Sequence, residues 1–488
     1  MINLPNFSEN KQIQVYSILA IVMSLLLYLG IFSTYAFTDA NEFLYSAHTS
    51  SQFIDVFVQG GRPIYGELNK LIFGNLIDTV SQLKWIRLIS LLGCVLFSIQ
   101  LFRFLIKSKF HFFESAFFSL LVLSLPSFGV FMSWSVTYEI PIALNCSFWA
   151  GVLLLKSIEN KRLKVLNYSV ALLLVVISLS LYQSAGTAFL IPFVILFTKN
   201  SILPFSILIK LGVFFIVSFG LYYVTFKLSL ALYDLAPLGR SGIDILNLPQ
   251  KVLNFYTLEM ETLLYGSSIL IKSYLLLSLA SFCFLGYFFF LIKDKTKSIF
   301  IVFLVLVIPF SYLPNLLSVD SWICSRTLAP AAVIVLFYQF YFLRQLSIKS
   351  KVAKGISVGF FVFLLLFSSY NLNVYFTGIQ SKEYSALHEE FGSYSFSENE
   401  TIILIRPEHN FLQATGYYKY SYSDEFGQLS CSRDWVPIPF LKQVIKETNP
   451  TASLPIIKTY GPQEPYNLSD SSALIIDLSK ILIKHFEN

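Results

Sequence analysis

Two carboxylates suited to acid–base chemistry follow the first long apolar stretch of the chain. Asp39 and Glu42 both lie in the segment Thr38–Phe43. A carboxylate at the mouth of a membrane helix can meet an acceptor hydroxyl and a membrane-borne donor together, and general-base catalysis needs such a group. The simpler interpretation is a solvated turn, because an aspartate after a membrane helix is common. The residues leave both interpretations open, and they also leave open which carboxylate would be the base.

Two arginines could hold an anionic group near these carboxylates. Arg62 follows two glycines in Gly60–Pro63, and Arg326 stands just before a predicted helix in Ser325–Pro330. A guanidinium group and neighbouring backbone N–H groups bind phosphate well. An arginine at a helix end also serves as an anchor to lipid headgroups, so the residues alone do not decide between these roles.

The elements that must position these residues are membrane helices. The chain has 488 residues, of which 55% are hydrophobic and 13% charged, and its mean hydropathy is +0.65. Soluble domains are about 25% charged, so most of this chain cannot face water. Apolar runs of about 20 residues, the length that crosses a bilayer, recur from Val15 onward. The net charge of +6 therefore gives no indication of nucleic-acid binding.

About eleven apolar segments are predicted to span the membrane. They are residues 15–36, 84–106, 115–133, 138–156, 164–181, 184–198, 205–227, 266–291, 298–317, 327–346 and 355–377. The first segment is too long for a signal peptide and no small-x-small cleavage site follows it. We therefore expect it to be a retained helix.

Basic residues fall at alternate connections between these segments, which the positive-inside rule assigns to the cytoplasm. They are Lys11, Arg103, Lys107, Lys109, Lys156, Lys161, Arg162, Lys164, Lys199, Lys293, Lys295, Lys297, Arg344, Lys349, Lys351 and Lys354. A single span over residues 164–198 would place the later clusters outside. We therefore predict a tight hairpin or a re-entrant turn at Tyr182–Ser184.

With the basic connections in the cytoplasm, the two long connections both lie on the outer side of the membrane. The predicted catalytic loops, residues 38–83 and 228–265, carry ionisable side chains, whereas the inner connections are short and lysine-rich. We therefore expect chemistry or binding on the outer face. Within the first loop an apolar residue recurs every fourth position, which predicts an amphipathic helix in the membrane interface: Ile64, Leu68, Ile72 and Leu76.

The composition becomes that of a globular domain after Tyr375. Residues 402–405, 455–458 and 473–478 are predicted strands, and residues 387–391, 411–420 and 438–447 are predicted helices between them. The expected fold is an all-α polytopic membrane domain of residues 1–378 with a small C-terminal α/β domain of residues 379–488 on the outer side.

Several catalytic motifs are absent from the sequence. It has no GxxxxGK[ST] loop, no GxGxxG turn, no HExxH helix and no DxD pair that would hold a metal and a nucleotide sugar. The five cysteines show no CxxC spacing, so we predict neither a metal site nor a cofactor. The sequence does not decide whether Cys324 and Cys431 form a disulfide. An enzyme of this shape would take its activated group from a lipid carrier, because soluble nucleotides stay in the cytoplasm.

Four short motifs in their order resemble one known family. Thr38–Phe43 is followed by Gly60–Pro63, by an LYQS turn at Leu181–Ser184 and by Ser325–Pro330. In motif order, length and layout the chain resembles the bacterial Gtr-type serotype-converting O-antigen glucosyltransferases, which belong to the GT-C class of lipid-dependent glycosyltransferases. The resemblance covers nearly the whole chain, and the order of the motifs is more specific than any one of them.

The resemblance implies an inverting hexosyltransferase with a polyprenyl-phosphate glucose donor and a lipid-linked O-antigen acceptor. It implies an active face and a C-terminal domain on the periplasmic side of the bacterial inner membrane. The chain departs from better-known GT-C enzymes because its first loop has no two consecutive acidic residues. The implied residues are Asp39 with Glu42 as partner or substitute base, Arg326 and then Arg62 for the donor phosphate, and Tyr138, Glu139, Tyr182 and Gln183 for the cavity.

The implied partners are membrane lipids, a small flippase and a polyprenyl-phosphate glucosyltransferase, with no nucleic acid. The alternative function is a flippase or transporter of lipid-linked glycans without catalysis. A transporter should place ionisable residues inside its spans, whereas nearly all carboxylates of this chain fall in predicted loops. A structural or assembly factor without an active site is the third hypothesis.

Overall fold

Helices make up most of the computed structural model, which describes residues 8–159, 164–199, 205–265, 274–293, 300–320, 323–392, 394, 400–417, 426–449, 454–464 and 473–486. The α-helices in these ranges are α1 (Glu9–Leu27), α2 (Asp39–Thr49), α3 (Asp55–Gln59), α4 (Pro63–Asn75), α5 (Leu83–Lys107), α6 (Phe112–Leu123), α7 (Pro126–Ser133), α8 (Glu139–Glu159), α9 (Lys164–Leu181), α10 (Leu190–Lys199), α11 (Ser206–Leu232), α12 (Leu248–Asn254), α13 (Met260–Tyr265), α14 (Tyr274–Lys293), α15 (Ile301–Phe310), α16 (Leu313–Leu317), α17 (Ala329–Lys349), α18 (Lys351–Tyr370), α19 (Ile379–Gly392), α20 (Phe411–Ala414), α21 (Pro437–Thr448) and α22 (Leu478–Phe486).

In the same ranges the other local structure comprises short 3₁₀ turns, two π-helical segments and one small sheet. The 3₁₀ turns are Leu29–Phe32, Val80–Gln82, Ser135–Thr137, Gln183–Thr187, Gly239–Ser241 and Ser430–Ser432, and the π-helical segments are Phe255–Glu259 and Asn371–Gly378. The strands are β1 (Thr401–Ile405), β2 (Ile456–Tyr460) and β3 (Leu474–Asp477).

Eight helices in the described ranges are long and apolar enough to cross a membrane. Helices α6 and α7 form a pair bent by 58°, because Pro126 lacks the N–H that would continue the preceding helix, and this pair would make a ninth span. Two shorter apolar helices, Gln183–Lys199 and Ile301–Phe310, stand where further spans were predicted. The chain is a helical multi-pass membrane protein, and the count of about eleven spans stays a prediction.

The first span is shorter than predicted, since α1 ends at Leu27 rather than near residue 36. Asn373 forms hydrogen bonds with the backbone at this end: its Oδ1 accepts from the N–H of Gly30 at 2.8 Å, and its Nδ2 donates to the Leu27 carbonyl at 2.7 Å. Gly30 allows this close approach, because a Cβ there would lie 2.1 Å from Thr377 Oγ1. Contacts from a distant helix thus replace the helical hydrogen bonds that hydropathy predicted.

An arginine inside α5 fixes the segment that follows α1. Arg87 is fully buried, and its guanidinium donates to the carbonyls of Ile31 at 2.7 Å, Ser33 at 2.5 Å and Tyr35 at 3.0 Å. The guanidinium carbon also lies 3.9 Å from the centroid of the Tyr35 ring. Buried carbonyls outside regular helices need such partners, so Arg87 determines the path by which the chain leaves the first span.

The chain turns back between α9 and α10, at Gln183–Thr187. Lys199 at the end of α10 donates to the carbonyl of Ser108, which follows α5. Arg344 near the end of α17 pairs with Glu114 at the start of α6, with 2.9 Å between Nε and Oε1. Basic residues from separate connections therefore meet at one end of the helices.

The opposite end of the helices carries α2 to α4, the long connection after α11 and the C-terminal residues. The N–H of Leu238 donates to the Gln59 carbonyl at 3.2 Å. Gln443 Nε2 in α21 donates to the Asp78 carbonyl at 2.8 Å. The two long loops and the C-terminal residues are therefore packed together.

The C-terminal sheet is parallel, with strand order β2–β1–β3. Its strands begin and end within two residues of the predicted ones. The predicted helix 411–420 extends only over Phe411–Ala414 within the described residues, and residues 418–420 lie outside them. The helix that includes α18, the π-helical segment and α19 runs without a break past residue 378, so a continuous helix joins the predicted domains.

The predicted interfacial helix is present as α4, but its buried face differs from the prediction. Tyr65, Asn69 and Phe73 are buried, whereas Leu76 is 64% exposed and follows the helix end. Helix α4 packs against α2, α3 and α9, so it belongs to the folded loop layer. The apolar repeat that predicted it lies on the neighbouring, half-buried face.

We expect Arg87→Met to destabilise the protein, because three buried carbonyls lose their donors. Leaving a buried polar group unpaired costs about 1–3 kcal/mol, so the free energy of unfolding should fall by about 3 kcal/mol or more. Thermal unfolding in detergent measures this change. Arg103→Met removes an exposed arginine from the same helix and is the matched control. Equal stability of the two variants would contradict the assignment.

Candidate functional site

Asp39 begins α2 where the membrane helices meet the C-terminal residues. Thr38 before it has φ +40°, a strained value for a residue other than glycine, and its N–H donates to Ser430 Oγ at 3.1 Å. Asp39 is half-buried, and its Oδ1 accepts from Trp435 Nε1 at 3.0 Å. One hydrogen bond from the Thr38 backbone to the C-terminal segment and one from that segment to the Asp39 carboxylate thus hold this turn in place.

Glu42 lies one helical turn further along α2 and is exposed. Its Oε1 accepts from Ser46 Oγ within the same helix. The neighbouring Tyr45 lies beneath Lys442 Nζ at 4.8 Å, and partial burial together with the charge of Glu42 raises the pKa of Tyr45. The two predicted bases therefore differ in their surroundings, because only Asp39 is hydrogen-bonded by the C-terminal residues.

A buried glutamate holds the segment that contacts Asp39. Glu383 in α19 is 1% exposed, and its two carboxylate oxygens accept the backbone N–H groups of Ser430 and Cys431, each at 2.8 Å. Gln380, one turn earlier, accepts from the Ser430 hydroxyl at 2.7 Å. Because α19 continues the last long apolar helix, this helix sets the position of the C-terminal segment against α2.

Four of the predicted site residues form a charged cluster at the same end of the helices: Arg62, Glu139, Tyr182 and Arg326. The charges of both arginines act on the Glu139 carboxyl group and on the Tyr182 hydroxyl group. Glu139 stands at the start of α8 and is 1% exposed, and its Oε2 has no hydrogen-bond partner among the described residues. A buried oxygen of this kind is suited to a polar ligand group or to water.

The turn that presents Arg62 is held by side chains of the membrane helices. Gln183 Nε2 donates to the Gly60 carbonyl at 2.7 Å, and the Tyr222 hydroxyl donates to the Gly61 carbonyl at 2.9 Å. Gly61 has φ +76°, and a Cβ there would lie 2.4 Å from Tyr222 Oη, so glycine is required. Gln183, a predicted cavity residue, thus positions the arginine turn.

Two buried tyrosines pack beside this cluster. Tyr138 donates to Asn69 Oδ1 at 3.2 Å, and Tyr65 donates to the Val136 carbonyl. Burial, together with the nearby Glu139, raises the pKa of Tyr65 well above its ordinary value of 10. Tyr65 therefore stays protonated and acts as a hydrogen-bond donor that joins α4 to the start of α8.

Trp134 connects the arginine cluster to the Asp39 turn. The guanidinium carbon of Arg326 lies 4.4 Å from the centroid of the Trp134 ring, and the ring of Phe37, two residues before Asp39, lies 5.0 Å away on edge. Trp134 is 4% exposed, and its Nε1 has no hydrogen-bond partner within the described ranges. Sequence reasoning missed this residue, since 17% of the chain is aromatic and nothing local distinguishes Trp134.

Trp435 lies at the protein surface beside Asp39. Its side chain is 51% exposed, and the guanidinium of Arg433 lies 5.8 Å from its ring centroid. An exposed indole whose N–H is already bonded to Asp39 offers a large apolar face with a fixed orientation. Such a face beside a carboxylate is suited to stacking against a sugar ring.

The described cysteines form no disulfide. Cys324 is 2% exposed and Cys431 is fully buried, so the bridge that the sequence left open is not formed. Burial and the charge of Glu383 raise the pKa of Cys431 well above its ordinary value. In the part of the chain that the structure describes, no group of three or more His, Cys, Asp or Glu could hold a metal ion.

Comparison of the sequence with models of known protein families gives no match, and a search of curated proteins finds no significant relative. The fold defines the class of protein: a helical multi-pass membrane protein whose helices carry, at one end, two arginines, a buried glutamate and an aspartate held by α/β residues.

We expect Glu383→Ala to loosen the Ser430–Cys431 turn, because two backbone N–H groups lose their acceptor. In a variant that retains Cys431 as its only cysteine, maleimide labelling of the thiol should become about tenfold faster or more, since a charged hydrogen bond contributes about 1.5–3 kcal/mol. Glu389→Ala, at an exposed position of the same helix, is the control. Equal labelling rates in both variants would contradict the role of Glu383.

Proposed function

We propose that the protein is a glycosyltransferase that moves glucose from polyprenyl-phosphate glucose to a sugar of lipid-linked O-antigen and so modifies the serotype. The observation that supports this proposal most strongly is that Trp134 contacts both Arg326 and Phe37, which stands two residues before Asp39. The base for the acceptor hydroxyl then lies beside the exposed indole of Trp435, and the cation for the donor phosphate lies over the buried indole of Trp134. The polyprenyl chain of the donor would lie against the membrane helices.

The reaction is a single displacement. Asp39 takes the proton of the acceptor hydroxyl as its oxygen attacks the anomeric carbon of glucose. The bond between that carbon and the phosphate oxygen breaks, and the leaving polyprenyl phosphate keeps the electron pair. Arg326, with Arg62 as the second cation, stabilises the charge that develops on the phosphate. Attack from the face opposite the leaving group inverts the anomeric configuration.

The orientation follows from the distribution of basic residues. Lys199 and Arg344 lie at the helix ends far from Asp39, and the positive-inside rule assigns such connections to the cytoplasm. The site would then face the periplasm across the bacterial inner membrane. A lipid-linked donor fits that location, since soluble nucleotide sugars stay in the cytoplasm.

One observation favours the alternative, a flippase or carrier of lipid-linked glycans. Glu139 is buried at the start of an apolar helix and has an unpaired oxygen among the described residues, and buried ionisable residues of membrane domains are typical of transport pathways. A carrier should keep its function when Asp39 loses its charge. A transferase should not.

We expect Asp39→Asn to abolish sugar transfer while abundance and membrane insertion stay normal. Removal of a general base lowers the rate about 10²–10⁴-fold. Transfer is measured in membranes supplied with polyprenyl-phosphate glucose and acceptor. Glu42→Gln is the matched control and should retain most activity, because Glu42 is exposed and bonded only within its own helix. Activity in the aspartate variant with loss in the glutamate variant would make Glu42 the base, and activity in both would reject the catalytic proposal.

We expect Arg326→Lys to lose most transfer activity without loss of folding, because a lysine cannot reproduce the two-pronged contact of a guanidinium with phosphate. A headgroup anchor, in contrast, should accept lysine. Arg103→Lys changes an exposed helix arginine and is the control. Full activity of Arg326→Lys, or transfer from a soluble nucleotide sugar alone, would remove the donor-site assignment.

A further inference from the structure

A groove of about 440 Å³ opens at the carboxyl ends of β1 and β2. Arg406, His409 and Asn410 follow β1 and line one wall, and Gly461 follows β2. Ser432 comes from the segment that contacts α2. In open parallel sheets, ligands bind in the crevice at the carboxyl ends of the strands, so the position of this groove is that of a binding site.

The groove offers hydrogen-bond donors and acceptors with little excess charge. Nη2 of Arg406 lies 3.6 Å from the carboxylate of Glu464, so the arginine charge is already offset. The Nε of Arg406 is buried and has no hydrogen-bond partner among the residues that the structure describes. Glu408 adds a carboxylate to the lining. This balance suits a neutral ligand rich in hydroxyl groups better than a phosphate.

His409 contributes an uncharged ring to the groove. Its Nδ1 lies 3.3 Å from Ser432 Oγ. Burial, and then the charges of Arg433 and Arg406, lower the pKa of His409 below its ordinary value of 6.5, while Asp434 opposes them. The ring is therefore neutral at pH 7, and one nitrogen donates a hydrogen bond while the other accepts one.

The groove and the Asp39 contact share one stretch of chain. Ser432 lines the groove, and Trp435, three positions later, donates to Asp39. Resting on the proposed function, we infer that the groove binds the acceptor glycan. The sugar that receives glucose would lie at Asp39 against the indole of Trp435, and the following sugars of the chain would extend across Ser432 to Arg406 and His409.

The test uses the full-length protein in detergent and the O-polysaccharide released from the host lipopolysaccharide by mild acid. Titration calorimetry measures its Kd. We expect the double variant His409→Ala/Asn410→Ala and, independently, Arg406→Gln to raise the Kd about tenfold, as loss of one or two polar contacts does. His485→Ala, on α22 and outside the groove lining, should leave the Kd unchanged. Sodium phosphate should not compete.

Failure of wild-type binding, an unchanged Kd in both folded groove variants, or competition by phosphate would overturn the groove assignment. A transfer assay separates this inference from the proposed function. The groove variants should raise the acceptor KM by a larger factor than they lower kcat. An unchanged KM in an enzyme that transfers glucose overturns the groove alone, whereas absence of transfer by the wild type overturns the proposed function and leaves the binding result to decide the groove.

Discussion

The chain between α1 and α2 passes between packed helices with one 3₁₀ turn, Leu29–Phe32, and Arg87 supplies hydrogen-bond donors to its carbonyls. Its guanidinium bonds to three carbonyls of Ile31–Tyr35. Because Arg87 is part of α5, the path of this segment is fixed relative to the membrane helices. That path leads to the strained Thr38 and to Asp39, so Arg87 and the hydrogen bonds with Ser430 and Trp435 together set the position of the candidate base.

The other half of the site depends on a helix that runs from the membrane into the C-terminal residues. Glu383 on that helix accepts the backbone N–H groups of the Ser430–Cys431 turn. Trp435 follows this turn and donates a hydrogen bond to Asp39. Trp134 contacts the ring of Phe37, which precedes Asp39, and the guanidinium of Arg326, and all three residues are far apart in the sequence. The site therefore forms only when the membrane helices and the α/β residues are packed together, which explains why no short segment of the chain contains it.

Local properties of the sequence were sufficient to predict some of these helices. Helix α5 was predicted over residues 84–106 and extends over Leu83–Lys107, because span length and hydropathy are local. The end of α1 was not predictable, since Asn373 determines it from the other end of the chain. Motif order predicted that Arg62 and Arg326 act together, and in the structure the charges of both act on Glu139. The roles of the two tryptophans could not be predicted, because an indole's role depends on which distant surfaces meet there.

The central proposal is that Asp39 activates the acceptor hydroxyl while Arg326 holds the phosphate of a lipid-linked sugar donor. Its most direct test is transfer by purified protein in proteoliposomes, with polyprenyl-phosphate glucose labelled at the anomeric carbon and a lipid-linked acceptor, followed by NMR of the product linkage. We expect transfer from the lipid-linked donor only, with inversion at the anomeric carbon. Retention of the donor configuration, or transfer from a soluble nucleotide sugar, would contradict the account.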